Sequence, residues 1–503
     1  MVVLVAFMTA CTPQQDPNKI IVSGPFEPIN LDPASTGYIF SRMQVLETLV
    51  DVGNNGELLP GLATSWLSND DFTQWTFTLR QNVYFHDGQP MTVEAVYKSL
   101  AVALGKPTPF AKNILTNLEI VSPSQIRFTL NQSYRPFPSL MSNYSMAIIA
   151  PSSFGTFNRI KNLVATGPYQ IVHFEPPHNI TTERFEQYWG EPAHIRYAEY
   201  ITGHRAETRA LMVRTGQADI VYNLDPAAVN MLGNESNVTV HSNAIPRTTL
   251  IKLNIGNEIL SDRSVREALS LAIDRTGIAE GILRVPGVEA NQIFGPMMGD
   301  WHLHNLPPPA THTQRANQLL NEAGWQKRDD GWRYRDNQRL TLNMITYANR
   351  PELIIIATAI QEQWARIGVE LNVQMENVSA IPSGHADGSL QTALMARNFA
   401  NIPNPLGIML ADFTSKAGGE WGPMNWSNPA VFSGVRTLSQ QTETEQASVQ
   451  IANILKQIHQ DLPLIPVTFY IQQTATSARV KNFSFDPFER SFRLSAMRLE
   501  HGS

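Results

Sequence analysis

At 503 residues the chain exceeds what one hydrophobic core usually covers, so two or three domains are expected, with ample burial in each. Hydrophobic residues make up 43% and charged residues 16%, an ordinary globular composition that excludes extensive disorder. The net charge of −6 argues against a nucleic-acid partner, and the longest apolar run after the N-terminus, LIIIATAI at 353–360, is too short to span a bilayer.

From the N-terminus, MVVLVAFMTA is an apolar run ending in small residues, and the single cysteine, Cys11, follows it directly. A signal h-region has this form. The abrupt turn into TPQQDPNK supplies a polar tether, so Cys11 resembles the lipidated residue of a bacterial lipobox. A buried thiol in a first strand or helix is the alternative. No Lys or Arg precedes Lys19, so the positive region of a signal is missing, which the anchor reading explains by a start upstream of Met1. Acyl chains on Cys11 would be the protein's one membrane contact and would leave the rest outside the cytoplasm.

In WTFTLR at 75–80, Trp75, Phe77 and Leu79 alternate with threonines and Arg80 as in a half-buried strand. Asn82 and HDGQP at 86–90 predict turns around VYF, hence a hairpin. Thr92 is set to cap a helix carrying Val93, Val96, Tyr97 and Leu100 on one face. In AETRALMVRTGQADIVY, a helix stops at Gly216 and Asp219 opens the strand DIVY. Ser264 and Glu267 fit a capping box on a helix with Val265, Ala268, Leu269 and Ala272 inward and Arg266 on its polar side. Leu353, Ile356, Ile360, Trp364 and Ile367 recur at helical spacing, Gly368 stops that helix, and Val369, Leu371 and Val373 alternate as a strand, an α/β unit. A helix near 443–460 is stopped by Pro463 and followed by the strand-like LIPVTFYI.

These segments, in this order, resemble the peptide and nickel family of extracytoplasmic solute-binding proteins, which feed ABC importers. Residues 62–96 carry the region that typifies it. ATGPYQI at 165–171, FEQYWGEPAHI at 185–195, ETRALMVRTGQADIV at 207–221, SVREALSLAIDR at 264–275 and AGW at 323–325 match further landmarks. The resemblance implies an α/β, two-lobed periplasmic-binding-protein fold with an extra subdomain and a ligand cleft between the lobes. On that reading residues 1–18 are signal segment and tether, 19–245 plus 474–503 form lobe I with the extra subdomain, and 246–473 form lobe II. The crossings fall near 245–250 and 467–473. The resemblance also implies a monomer that needs no cofactor, serves a permease and ATPase complex, and sits in the periplasm or at the cell surface, anchored through Cys11.

Function then turns on ARNFANIPNP at 396–405, where prolines 403 and 405 predict a stiff loop. Arg397 is a fork of donors suited to a carboxylate, and Asn398, Asn401 and Asn404 both donate and accept. Peptide binders of the family place an aspartate in this loop to capture the ligand's α-ammonium. Here the position is Asn401, an uncharged acceptor, which weakens ordinary peptide recognition. Nickel binders place an aromatic residue in the loop and hold a chelate's carboxylates with arginines, a pattern that Phe399 and Arg397 fit. The segment 414–426 lacks the histidine that some nickel binders use as metal ligand, and Asn143 and Tyr144 stand where a second arginine is expected. A preassembled chelate fills its own coordination shell, however, and needs few protein ligands. The expected ligand is therefore a nickel or other transition-metal chelate, with a di- or oligopeptide as the alternative. Arg397, Asn398, Phe399 and Asn401 would bind it from one lobe, Tyr38, Phe110 and Tyr144 from the other, and Trp421 would be a lid.

His302, His304 and His385 are the histidines weighed as metal ligands, exposed loop positions being the plainer reading. His86 reads as a turn residue, and Tyr188 and Trp189 as core. A catalytic cleft, for instance a metal-dependent hydrolase using His302 and His304, is the competing class. The chain carries no His-Glu-x-x-His, no Gly-x-Ser-x-Gly and no phosphate-cradling glycine loop, so no enzyme is expected.

Overall fold

The computed structural model describes residues 16–106, 114–307, 310–347, 350–399, 402–440 and 445–500. Cys11, Phe110 and Asn401 lie outside them. Among the described residues, ten strands join in one sheet whose middle is two long antiparallel strands, Val238–Leu253 and Leu464–Ser477. Both are rich in Val, Ile and Thr, whose branched side chains suit a pleated surface. Their ladder is interrupted between Ala244 and Thr248, where Pro246 contributes no N–H. Before the interruption, Val238–Leu253 has partly solvated faces, and from Ile245 on it is buried throughout. One half thus belongs to a sheet covered lightly, the other to a sheet covered on both faces.

On one side, Leu464–Ser477 continues through Ile220–Tyr222 to Lys19–Gly24, Tyr197–Thr202, Asn179–Arg184 and Tyr169–Glu175. On the other, Val238–Leu253 pairs with Thr392–Asn398, followed by Thr341–Tyr347 and Glu370–Glu376. The result is two lobes, each with its own buried cluster, joined through the paired strands. The larger lobe's core is packed by Trp325 and Trp364, and the Trp364 Nε1 donates to the Leu269 carbonyl at 3.0 Å. A third cluster fills a subdomain in which Ala63–Ser68, Gln74–Leu79, Gln125–Leu130 and Leu115–Ser122 form an antiparallel sheet under the helix Val93–Leu104. Residues from the other side of the molecule reach this subdomain: Ile402 is buried in its core, and the Arg135 N–H donates to the Ser439 carbonyl at 3.1 Å. No helix among the described residues is long and apolar enough to cross a membrane.

Local expectations fare unevenly. Thr92 caps as read, its Oγ1 accepting from the Ala95 N–H at 3.3 Å. The helices Ala206–Arg214 and Pro351–Arg366 end ahead of Gly216 and Gly368, both with positive φ, which glycine adopts without strain. The capping box is displaced: Asp262, not Ser264, caps Arg263–Leu271. Arg266 is buried rather than polar-facing, because its guanidinium staples the carbonyls of Leu260, Ser261, Asp461 and Leu462. Residues 83–85 form only a minimal hairpin, an antiparallel Tyr84 to Pro90 bridge flanked by the Phe85 N–H donating to the Gln89 carbonyl at 2.8 Å and the Met91 N–H to that of Val83 at 2.9 Å. His86 is a buried turn residue whose Nε2 donates to the Gly167 carbonyl at 2.9 Å while its Nδ1 accepts from the Ala165 N–H, and burial pulls its pKa down to about 4.

Two distant landmark segments meet at one carboxylate. Glu47 accepts from Thr166 Oγ1 at 2.7 Å, Tyr188 Oη at 2.9 Å and Trp189 Nε1 at 3.0 Å. Burial raises its carboxyl to about 7 despite these donors. The folded state therefore holds this proton more tightly than the unfolded chain, and the Glu47 contribution to stability falls as pH rises from 4.5 to about 7. Glu47→Gln keeps the shape and removes the titration. The variant is expected to gain stability over the wild type across that window, by on the order of 3 kcal/mol at its top, measured by urea unfolding at closely spaced pH values.

Candidate ligand site between the lobes

The helix Pro33–Arg42 starts at Asp32, whose Oδ1 accepts from the Ala34 N–H at 3.0 Å and whose Oδ2 pairs with Lys106 at 2.6 Å. Tyr38 and Arg42, four residues apart, share one face of it. The Arg42 guanidinium lies 4.3 Å over the Phe26 ring and 5.8 Å from that of Tyr38, and Tyr38 meets Tyr144 edge-on at 6.1 Å. Gly37 permits that approach, since a Cβ there would come within 2.9 Å of the Tyr144 ring. Burial raises the pKa of both tyrosines, so they stay neutral donors at physiological pH.

The opposite wall is a turn wound on one carboxylate: Asp486 accepts from the N–H groups of Phe488, Arg490 and Ser491, each at 3.0 Å. This presents Phe488, Glu489 and Arg490 to the cleft. Glu489 bonds Arg247 Nη2 at 2.8 Å, lies 3.8 Å from Arg42 Nη2, and its carbonyl accepts from Arg42 Nε at 2.7 Å. Burial works to raise the Glu489 carboxyl, but Arg247, Arg42 and Arg350 outweigh it and hold the pKa below the usual value. Asn398, last residue of its strand, completes a cavity of about 260 Å3 lined also by Asn143. Among the described residues, Arg42 Nη1 and Arg490 Nη1 are buried with no partner, as are Arg247 Nε and Nη1. Scaffold arginines differ: the guanidinium of Arg333 is spent on the carbonyls of Ile367 and Trp325 and on Asn317 and Asn321. The cleft thus pairs rigid aromatic faces with idle guanidinium donors, a setting for a small anionic ligand.

The family model of bacterial extracellular solute-binding proteins, family 5, matches residues 57–420. The chain belongs to this family. It is a substrate-binding protein of the peptide and nickel importer type, and members of the family serve ABC permease and ATPase components. The chain is 25% identical to the nickel-binding periplasmic protein of Escherichia coli K12, covering 94% of this chain and 93% of the relative. To the probable D,D-dipeptide-binding periplasmic protein DdpA of the same organism it is 26% identical, covering 95% and 94%. Its fold matches the structure of NikA from Brucella suis in complex with Fe(III)-EDTA, with a TM-score of 0.87 at 21% identity over 96% of this chain and all of that one.

Within this solute-binding protein, Tyr38, Tyr144 and Asn398 are brought together on the cavity wall. The other expected residues stand elsewhere. Arg397 and Asn398 end a strand rather than forming a stiff loop, and Asn404 caps the next helix, Pro405–Asp412, accepting from the Leu406 N–H at 2.9 Å. Arg397 bonds Asp412 at 2.9 Å under the segment 418–422, where Gly419 and Gly422 are required because a Cβ at either would strike Asp412. Phe399 is 2% exposed in the lobe core against Phe294. Trp421 packs on the same core with its Nε1 on Glu420. His385 Nδ1 accepts from the buried Lys252, whose ammonium also holds the Glu420 and Gly422 carbonyls. His302 donates Nδ1 to the Phe294 carbonyl at 2.8 Å beside His304. Among the described residues no group of three or more His, Cys, Asp or Glu is placed to hold a metal. Arg42, Phe488, Glu489 and Arg490 escaped sequence reading. Arg42 at helical spacing from Tyr38 and the charge pair in FDPFER were the available signals.

Because Arg397 is committed to a buried carboxylate, Arg397→Met strands Asp412 at 5% exposure. A stability loss of about 3 kcal/mol is expected, largely recovered in Arg397→Met with Asp412→Leu, as read from urea midpoints.

Proposed function

We propose that this solute-binding protein captures a small carboxylate-bearing ligand, a nickel or other transition-metal chelate with amino acids such as histidine, and delivers it to a membrane permease. The reading is carried by Arg42 and Arg490, which both line a cavity of about 260 Å3 and both keep a buried Nη1 without a partner among the described residues. A chelate brings the carboxylate those donors suit and fills its metal's coordination shell with its own amines and imidazoles, so few protein ligands are needed. The nickel-binding relatives support the metal, and the small volume supports a compact ligand. Arg42 and Arg490 take the anchoring role expected of Arg397.

A dipeptide is the second reading, favoured by the DdpA relative and by Glu489, a carboxylate on the cavity wall that could meet a ligand's ammonium. In either case the protein works as a binder rather than a catalyst, as a monomer without a cofactor, anchored outside the cytoplasm through lipid on Cys11. Lobes I and II, 19–245 plus 474–503 and 246–473, would rotate about the interrupted ladder. A ligand touching both lobes draws the population toward the closed form, and a shift from mostly open to mostly closed takes a differential affinity of about 10⁴-fold.

Calorimetry with nickel plus histidine, nickel alone and dipeptides tests the reading. Micromolar or tighter binding of nickel only with histidine present is expected, and Arg42→Gln should weaken it by about 10- to 100-fold, the worth of a charged hydrogen bond. Dipeptide binding without any response to nickel would put the second reading first. Separately, Cys11→Ser should move the protein from the membrane to the soluble fraction.

A further inference from the structure

The ligand cavity has a larger neighbour. A second chamber of about 770 Å3 opens between the lobes, walled by Glu57 and Arg135 on one side and by Met297, Met298, Trp301 and Asn404 on the other. Among the described residues, Phe488 is the one shared by the walls of both chambers. Its ring is 5% exposed, yet it stands apart from the three lobe and subdomain cores and packs on Val52. The ring is held in place from two directions. Asp486 pins its backbone N–H, and Gly56, at φ +83°, sits so near that a Cβ there would come within 2.9 Å of the ring tip. A large aromatic detached from every core, clamped between two cavities, is placed as a wall rather than as filling.

We infer that Phe488 is a specificity residue, a partition that confines the ligand to the inner chamber and sets its maximum length. The inference rests on the inner cavity being the ligand site. With the ring in place, a ligand held on Arg42 and Arg490 ends at Phe488, which suits an amino-acid chelate or a dipeptide. With a small residue there, the two spaces become one, and the methionines and Trp301 of the outer chamber offer apolar surface to a ligand that continues past it. A longer peptide, or a chelator with a tail, is the class that would gain.

The test is calorimetry on the full-length protein with a short and a long member of each ligand class. The peptides are dialanine and penta-alanine. The chelates are nickel carried by the tripeptide Gly-Gly-His and by Gly-Gly-His-Ala-Ala. The readout is the ratio of long to short affinity in wild type, Phe488→Ala and Phe488→Leu, the leucine keeping contact with Val52 should alanine disturb the turn. In whichever class binds, the wild type should favour the short member and the ratio should rise about tenfold or more in both variants. A wild type that binds long members as well as short ones, or variants whose ratio does not move in either class, overturns the partition. If no short member binds the wild type while long members bind Phe488→Ala, the proposed chelate or dipeptide function falls and the partition stands.

Discussion

The architecture depends on the pairing of Val238–Leu253 with Leu464–Ser477. Backbone hydrogen bonds bind these strands along most of their length, so neither lobe can slide away from the other. The ladder is interrupted between Ala244 and Thr248, which is where the proposed rotation of the lobes would concentrate. Arg247 lies inside that interruption and its side chain reaches Glu489, a residue of the cavity wall. Hinge and cavity are therefore joined by one ion pair at 7% and 12% exposure, where a change of partner is felt strongly because water screens it little.

The cleft and the scaffold use the same side chains differently. Arg266 and Arg333 are buried and spend their donors on carbonyls that close helix ends and turns. Arg397 and Asp412 neutralise each other, and Lys252 gathers carbonyls of the segment 419–422 that lies over them. All of these hold shape. Around the cavity, Arg42, Arg247 and Arg490 share two carboxylates, those of Glu489 and Asp51, and leave buried N–H groups without a partner among the described residues, as Arg397 does with its Nε. Idle buried donors cost stability, and sites that bind tolerate that cost because a ligand removes it.

Phe488 shows how a short C-terminal segment shapes specificity from outside the lobe cores. Its turn is organised by Asp486, so the direction of the ring, of Glu489 and of Arg490 follows from a single carboxylate accepting three backbone N–H groups. Cavity size, charge and anchor thus come from three consecutive residues brought back across the molecule to face the first helix.

Periodicity and landmark order in the sequence determined the α/β class, the main helices and strands, the cap at Thr92, the stops at Gly216 and Gly368 and the family, because these depend on neighbours within a turn or two or on residue order alone. Tyr38, Tyr144 and Asn398 were legible for the same reason, as polar or aromatic residues in segments that the family uses. Which charges face the ligand was decided only by tertiary structure. Arg397 and Arg42 are indistinguishable as letters. One falls 2.9 Å from a buried aspartate fifteen residues on, the other beside a glutamate 447 residues away that it must share with Arg247. Pairing partners so distant in the chain leave no local trace, and only the tertiary structure puts Arg42 on the cavity wall and Arg397 against Asp412 away from it.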